Sequence, residues 1–88
     1  MREISEKEAE ALMGDTRDCP VLSQEENGET ESAVALRRFP SCLVLGVSSD
    51  LADTFKLYAF DDADEARAAY DRFVTVMRET GTPFGPLS

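Results

Sequence analysis

The feature that most constrains this chain is a change of period at residue 61. From Ala33 to Phe60 apolar side chains recur every second residue; beyond Asp61 they recur every third or fourth. A period of two puts alternate side chains on opposite faces of a strand, and a period near 3.6 gathers them on one face of a helix. In "SAVALRRF", Val34, Leu36 and Arg38 alternate with Ala35, Arg37 and Phe39. "CLVLGVS" sets Leu43, Leu45 and Val47 against Val44 and Gly46, and "TFKLYAF" sets Phe55, Leu57 and Ala59 against Lys56, Tyr58 and Phe60. Pro40-Ser41 and "SSDLAD" (48–53) supply the turn chemistry between the runs. Connections this short join antiparallel neighbours, so residues 33–60 predict a three-stranded meander.

"DDADEARAAYDRFVTVMRETG" then places Ala66, Tyr70, Phe73 and Met77 on one helical face. Asp62 with Glu65 is a capping signal, acids fill the first turn, and Gly81 followed by Pro83 ends the element, which predicts a helix over 61–81. Its apolar face and the Phe55/Leu57 face of the meander need each other to leave water. A second, short helix is expected within residues 1–14. Ser5 and Glu8 form a capping box, Ile4 and Ala9 a hydrophobic staple, and Gly14 a stop. Residues 15–32 read as an acidic loop or hairpin and 82–88 as an extended tail. The whole is one small α+β domain in the order α-β-β-β-α, with a fourth strand if residues 21–24 pair. On this assignment Val44, Tyr58 and Phe60 lie on the sheet face away from the long helix. Either the first helix covers them or they form an apolar binding or dimer surface.

The stretch "SQEENGETES" (23–32) holds four glutamates and no base around Asn27-Gly28. As a calcium loop with glycine sixth it would need Asp first and Glu twelfth, where the chain has Ser23 and Val34. As a hairpin tip, Asn-Gly would pair Glu26 with Glu29 and Val21 with Val34. Arg37 and Arg38, adjacent on a strand, point to opposite faces and read as guards of a sheet edge.

Chemistry is constrained by what is missing. The sequence has no histidine, which removes the Ser-His and Cys-His nucleophile arrangements, and its two cysteines fall short of a zinc set. No glycine-rich loop precedes a helix in the phosphate-binding pattern. No enzyme, cofactor or metal site is expected. Cys19 and Cys42 could bridge, but both sit at packing positions, and reduced thiols are the expectation for a chain that reads as cytoplasmic. The amino end is charged from its second residue and has no apolar signal region, and no apolar run approaches membrane-spanning length.

The net charge is −9, and the acid lies outside the apolar middle: residues 1–31 carry net −7, 32–60 carry +1 and 61–80 carry −3. Nucleic acid and anionic membrane are therefore not expected as direct partners, since both are bound through Lys and Arg. A protein with a basic surface is. The candidate contact residues are Glu25, Glu26, Glu29 and Glu31 on the loop and Asp61, Asp62, Asp64 and Glu65 at the helix start. In size, acidity and lack of catalytic residues the chain resembles small phage and mobile-element inhibitors, including anti-CRISPR proteins, some of which mimic DNA. That compositional resemblance implies an inhibitor or regulator. The alternative is an oligomerisation module that self-associates through the apolar sheet face.

Overall fold

The computed structural model describes residues 1–15 and 18–86, so residues 16–17 of the expected acidic loop and 87–88 of the expected tail lie outside the described residues. Its elements are β1 (Arg2–Ile4), α1 (Glu6–Met13), β2 (Val21–Asn27), β3 (Ser32–Arg38), β4 (Leu43–Ser49), β5 (Thr54–Phe60) and α2 (Ala63–Thr80). The fold is α+β: a five-stranded sheet in the order β1-β5-β4-β3-β2, antiparallel throughout, with the long helix packed on it. Two strands thus join the three expected. β2 is the optional fourth, extended to Asn27. β1 pairs Arg2 with Ala59 and Ile4 with Leu57. Three residues are too few to show a period, which is why the pattern could not reveal it.

The meander is regular but for one register shift in β2, between Val21 and Ser23. β2 to β5 are seven residues each, joined by loops 28–31, 39–42 and 50–53. A four-residue loop places an even-numbered residue opposite an odd one. Leu36 therefore lies across from Leu45, Leu45 across from Tyr58, and Leu43 across from Phe60. Opposed residues share a face, so Tyr58 and Phe60 join the α2 side while Phe55 and Leu57 face the other way. This reverses the expected orientation of β5. That strand is apolar on both faces, so alternation within it could not choose; loop length does.

The core under α2 is built from Val34, Leu36, Leu45, Val47 and Phe60 against Ala66, Ala69, Tyr70, Val74 and Met77. Tyr58 stacks on Phe73 with ring centroids 5.6 Å apart. Of the proposed apolar interface, Phe60 is 2% exposed under α2, Tyr58 is half-buried there, and Val44 is 3% exposed on the opposite face. The three do not share a surface. Val44 belongs to a second cluster with Ile4, Ala9, Cys19, Phe39 and Ala59, flanked by Leu12 and Met13 of α1. Cys19 and Cys42 are both free thiols at this cluster.

The helix caps and stops act as expected, except that Glu65 does not return a bond to Asp62 and pairs instead with the Met1 ammonium. Ser5 Oγ accepts from the Glu8 amide and Glu8 accepts from the Ser5 amide, closing the capping box, and the Gly14 amide donates to the Glu10 carbonyl. Asp62 caps α2 through the Asp64 amide, and Gly81, with φ 94°, ends it in the left-handed conformation that glycine tolerates. Three other expectations change. The hairpin does not turn at Asn27-Gly28: Asn27 pairs with Ser32, Glu26 with Ala33 and Val21 with Arg37. The described part of the tail is not extended; Thr82 and Pro83 are buried, and a turn closes from the Gly85 amide to the Thr82 carbonyl. Arg37 and Arg38 do point to opposite faces, but β3 is an interior strand, so they guard no edge. No helix among the described residues is long and apolar enough to cross a membrane.

Leu45, fully buried on the central strand, contacts both partner strands and α2. Leu45→Ala is expected to cost about 2–5 kcal/mol, enough to unfold much of a domain this small. Urea denaturation followed by circular dichroism measures it. Tyr58→Glu, which would place a carboxylate against Phe73, should likewise lower the melting temperature of the monomer rather than dissociate an oligomer.

Candidate functional site: an acidic pole on two hairpin turns

Alternate turns of a meander lie at the same end of the sheet, so loops 28–31 and 50–53 are neighbours. The Asp50 amide donates to the Glu31 carbonyl (3.1 Å) and the Leu51 amide to the Thr30 carbonyl (3.3 Å). Each loop ends on an acidic residue in the left-handed region, Glu31 and Asp53, both at φ 49°. Aspartate visits that region with some ease, whereas glutamate is held there at a cost of about 1 kcal/mol or more.

Asn27 explains why its Asn-Gly does not form the tight turn. Its Oδ1 accepts from the Glu29 amide (3.0 Å), an Asx turn that opens the four-residue loop, and its Nδ2 donates to the Gly81 carbonyl (3.3 Å). Thr30 Oγ1 donates to the same carbonyl at 2.7 Å and lies 2.7 Å from Ser32 Oγ. Ser32 donates to Ser49 Oγ (2.9 Å), which accepts from the Ala52 amide (3.1 Å). Ser32 and Ser49 are each 2% exposed. The last turn of α2 and both hairpin loops are thereby joined through one buried hydroxyl cluster, so the loops are held rather than merely exposed.

On this frame Glu29, Glu31, Asp50 and Asp53 are all exposed, and none is in an ion pair among the described residues. Glu26 is exposed just before the first loop, on the face away from α2. Glu25 points the other way and is spoken for. Its carboxylate receives Nε and Nη2 of Arg78 at 2.6 and 2.5 Å, a bidentate pair that holds β2 to α2 together with the Arg67–Ser23 bond (2.6 Å). The Arg78 bond holds the Glu25 carboxyl below the usual carboxylate range. Glu31 is shifted the opposite way: a hydrogen bond shared with the Asp50 carboxyl, and the charge beside it, push it up.

The second acidic group lies elsewhere. Asp61, Asp62, Asp64 and Glu65 gather at the amino end of α2, and the loop acids meet its carboxyl end at Gly81. Eighteen residues at 1.5 Å per residue separate the ends by about 27 Å. The two groups do not converge. Three of those at the helix start have local employment: Asp62 is the cap, Asp64 and Glu65 complement the helix dipole, and Glu65 takes the terminal ammonium of Met1. The pole instead recruits Asp50 and Asp53, whose setting in "SSDLAD" signals only a turn. The equal spacing of the strands was the signal that could have placed them beside Glu29 and Glu31. No three Cys, Asp or Glu side chains among the described residues are disposed to hold a metal ion.

The two shifted carboxyls predict opposite pH effects. Glu25, lowered in the folded state, stabilises above the ordinary carboxylate range, and that contribution fades as pH falls through its lowered value. Glu31, raised in the folded state, destabilises once pH rises through the window from the ordinary to the raised value. Thermal melts over about pH 3 to 7 should therefore show Glu25→Gln less stable than wild type at neutral pH and Glu31→Gln more stable. Both differences should vanish at the acid end.

No protein-family model, no curated protein and no solved structure matches this chain.

Proposed function

We propose that this chain is a small non-enzymatic binding protein, an inhibitor or regulator, whose acidic pole occupies a basic surface of a partner protein. The observation that carries the reading is the placing of Glu29, Glu31, Asp50 and Asp53 on two loops fastened by the Thr30, Ser32 and Ser49 hydroxyls. Solubility requires scattered charge, not a left-handed glutamate beside an aspartate whose carboxyl repels it. Carboxylates held in fixed positions lose little freedom on meeting Lys or Arg, and a basic partner relieves their mutual repulsion. A surface that ordinarily receives nucleic-acid phosphates has the complementary charge. The separation of the two acidic groups confines the contact to the turn end; acid at the start of α2 is support for the helix.

The test is capture of the partner from the source cell by immobilised protein at two salt concentrations. Raising salt from about 0.05 to 0.5 M shortens the screening length to a few ångströms and should weaken capture at least tenfold. Glu29→Lys, Glu31→Lys and Asp50→Lys together should abolish it with the circular dichroism spectrum unchanged. Asp61→Lys with Asp64→Lys, at the far end of α2, should leave it intact. Displacement of the captured protein by duplex DNA would identify the basic surface as a nucleic-acid site. Capture that survives both high salt and the triple reversal sinks the proposal.

A further inference from the structure

The sheet face opposite α2 is only partly covered. Beside α1 lies an open groove of about 420 Å³, walled by Ala9 and Met13 of the helix and floored by Ala33, Ala35 and Gly46. Phe55, 53% exposed, and Leu57 border it beside the start of α1. Gly46 is the telling residue. It sits mid-strand in β4, the central strand, where glycine weakens pairing, and its φ is not one that demands glycine. A Cβ built there would meet Leu57 Cδ2 at 3.5 Å and the Ala35 carbonyl at 4.0 Å, ordinary contacts. No described residue excludes a Cβ there. Strand glycines occur at bulges, at bends and where another group approaches the backbone closely, and β4 pairs with both neighbours without a register shift.

The rim is acidic. Glu6 and Glu10 line the helical wall one turn apart, and Glu26 stands opposite Ala33 on the same face. At the open end Ser48 and Phe55 lead into the turn that carries Asp50 and Asp53. The base in the lining, Arg37, is hydrogen-bonded to the Cys19 carbonyl (3.3 Å). Glu6, Glu10 and Glu26 are in no ion pair among the described residues.

We infer that this groove receives an amphipathic helical segment of the basic partner, with apolar anchor side chains over Ala35 and Gly46 and Lys or Arg against Glu6, Glu10 and Glu26. The inference rests on the basic-partner reading and gives it a docking mode. A helix fits because small floor residues let a body about 10 Å across settle onto the sheet. A strand would need a free sheet edge, whereas the groove lies on a face. A second copy is disfavoured by charge, since it would bring its own share of a −9 net charge to an acidic rim.

The experiment uses the full chain, labelled with ¹⁵N, and two synthetic peptides of the same leucine and lysine composition, one amphipathic as a helix and one scrambled. The amphipathic peptide should shift the amides of Ala33, Ala35, Gly46 and Leu57 and bind at least tenfold more tightly than the scrambled one. Gly46→Val, which fills the floor, should weaken it at least tenfold; Glu6→Lys with Glu10→Lys, at exposed positions, gives the same loss should the valine disturb folding. Equal binding of both peptides, or shifts confined to loops 28–31 and 50–53, overturns the groove while leaving the acidic-pole reading standing. Absence of binding, or an affinity untouched by these variants, overturns it as well. A concentration-dependent dimer that Gly46→Val dissociates in sedimentation assigns the groove to a second copy instead and overturns the inference.

Discussion

A five-stranded sheet has two apolar faces to hide, and this chain has one long helix with which to hide them. α2, about 27 Å long, runs the length of strands that extend about 23 Å, and it completes one core. α1 has eight residues, about 12 Å, and reaches only part of the other face. The division of side chains follows. Where α1 sits, Ile4, Phe39, Val44 and Ala59 are buried; beyond it the sheet offers Ala33, Ala35, Gly46 and Ser48, small enough to leave little apolar area in water. Phe55 and Leu57 break that economy, and they border the groove.

Which face each residue joins is decided by loop length rather than by the residues themselves. Four-residue loops fix the register of every hairpin, and the register assigns Tyr58 and Phe60 to α2. The loops in turn depend on the helix. Gly81 ends α2 with a carbonyl that has no intrahelical partner, and Asn27 and Thr30 supply its donors. Helix termination, hairpin geometry and the position of the exposed acids are thus one connected arrangement. Loosening Thr30 or Ser32 would be felt at Glu29 and Asp50.

Much of this was legible in the sequence, for definite reasons. Both helices announced themselves through caps and stops at Ser5, Glu8, Gly14, Asp62 and Gly81, because those residues satisfy backbone groups locally. The meander was legible because strands with one buried face alternate. Parity was not. β5 carries apolar residues at every position but Thr54 and Lys56, so its face depends on pairing with β4, a non-local fact. Asn27-Gly28 misled because the dipeptide reports a preference for tight turns, while here the Asn side chain bonds the second residue of a longer loop and a helix end beyond it. The acidic site was half legible: Glu29 and Glu31 stand out in the acidic stretch, but their neighbours Asp50 and Asp53 come from a turn 22 residues away, and Asp61 to Glu65 lie at the far end of the helix.

The acids can be sorted by what the fold does with them. Asp62 caps, Glu8 closes a capping box, Asp64 and Glu65 meet a helix dipole, and Glu3 and Glu25 pair with Lys56 and Arg78. Each of these would be retained for stability alone. Glu31 serves no such role: it holds a left-handed backbone and lies beside Asp50, whose carboxyl pushes it up. Glu10 sits four residues after Glu6 on the same helical wall, a repulsive spacing, and Glu26 stands at an exposed strand position with no base opposite. Local features that work against the fold persist where something other than folding uses them. In this chain they occupy the turn end and the rim of the groove that opens onto it.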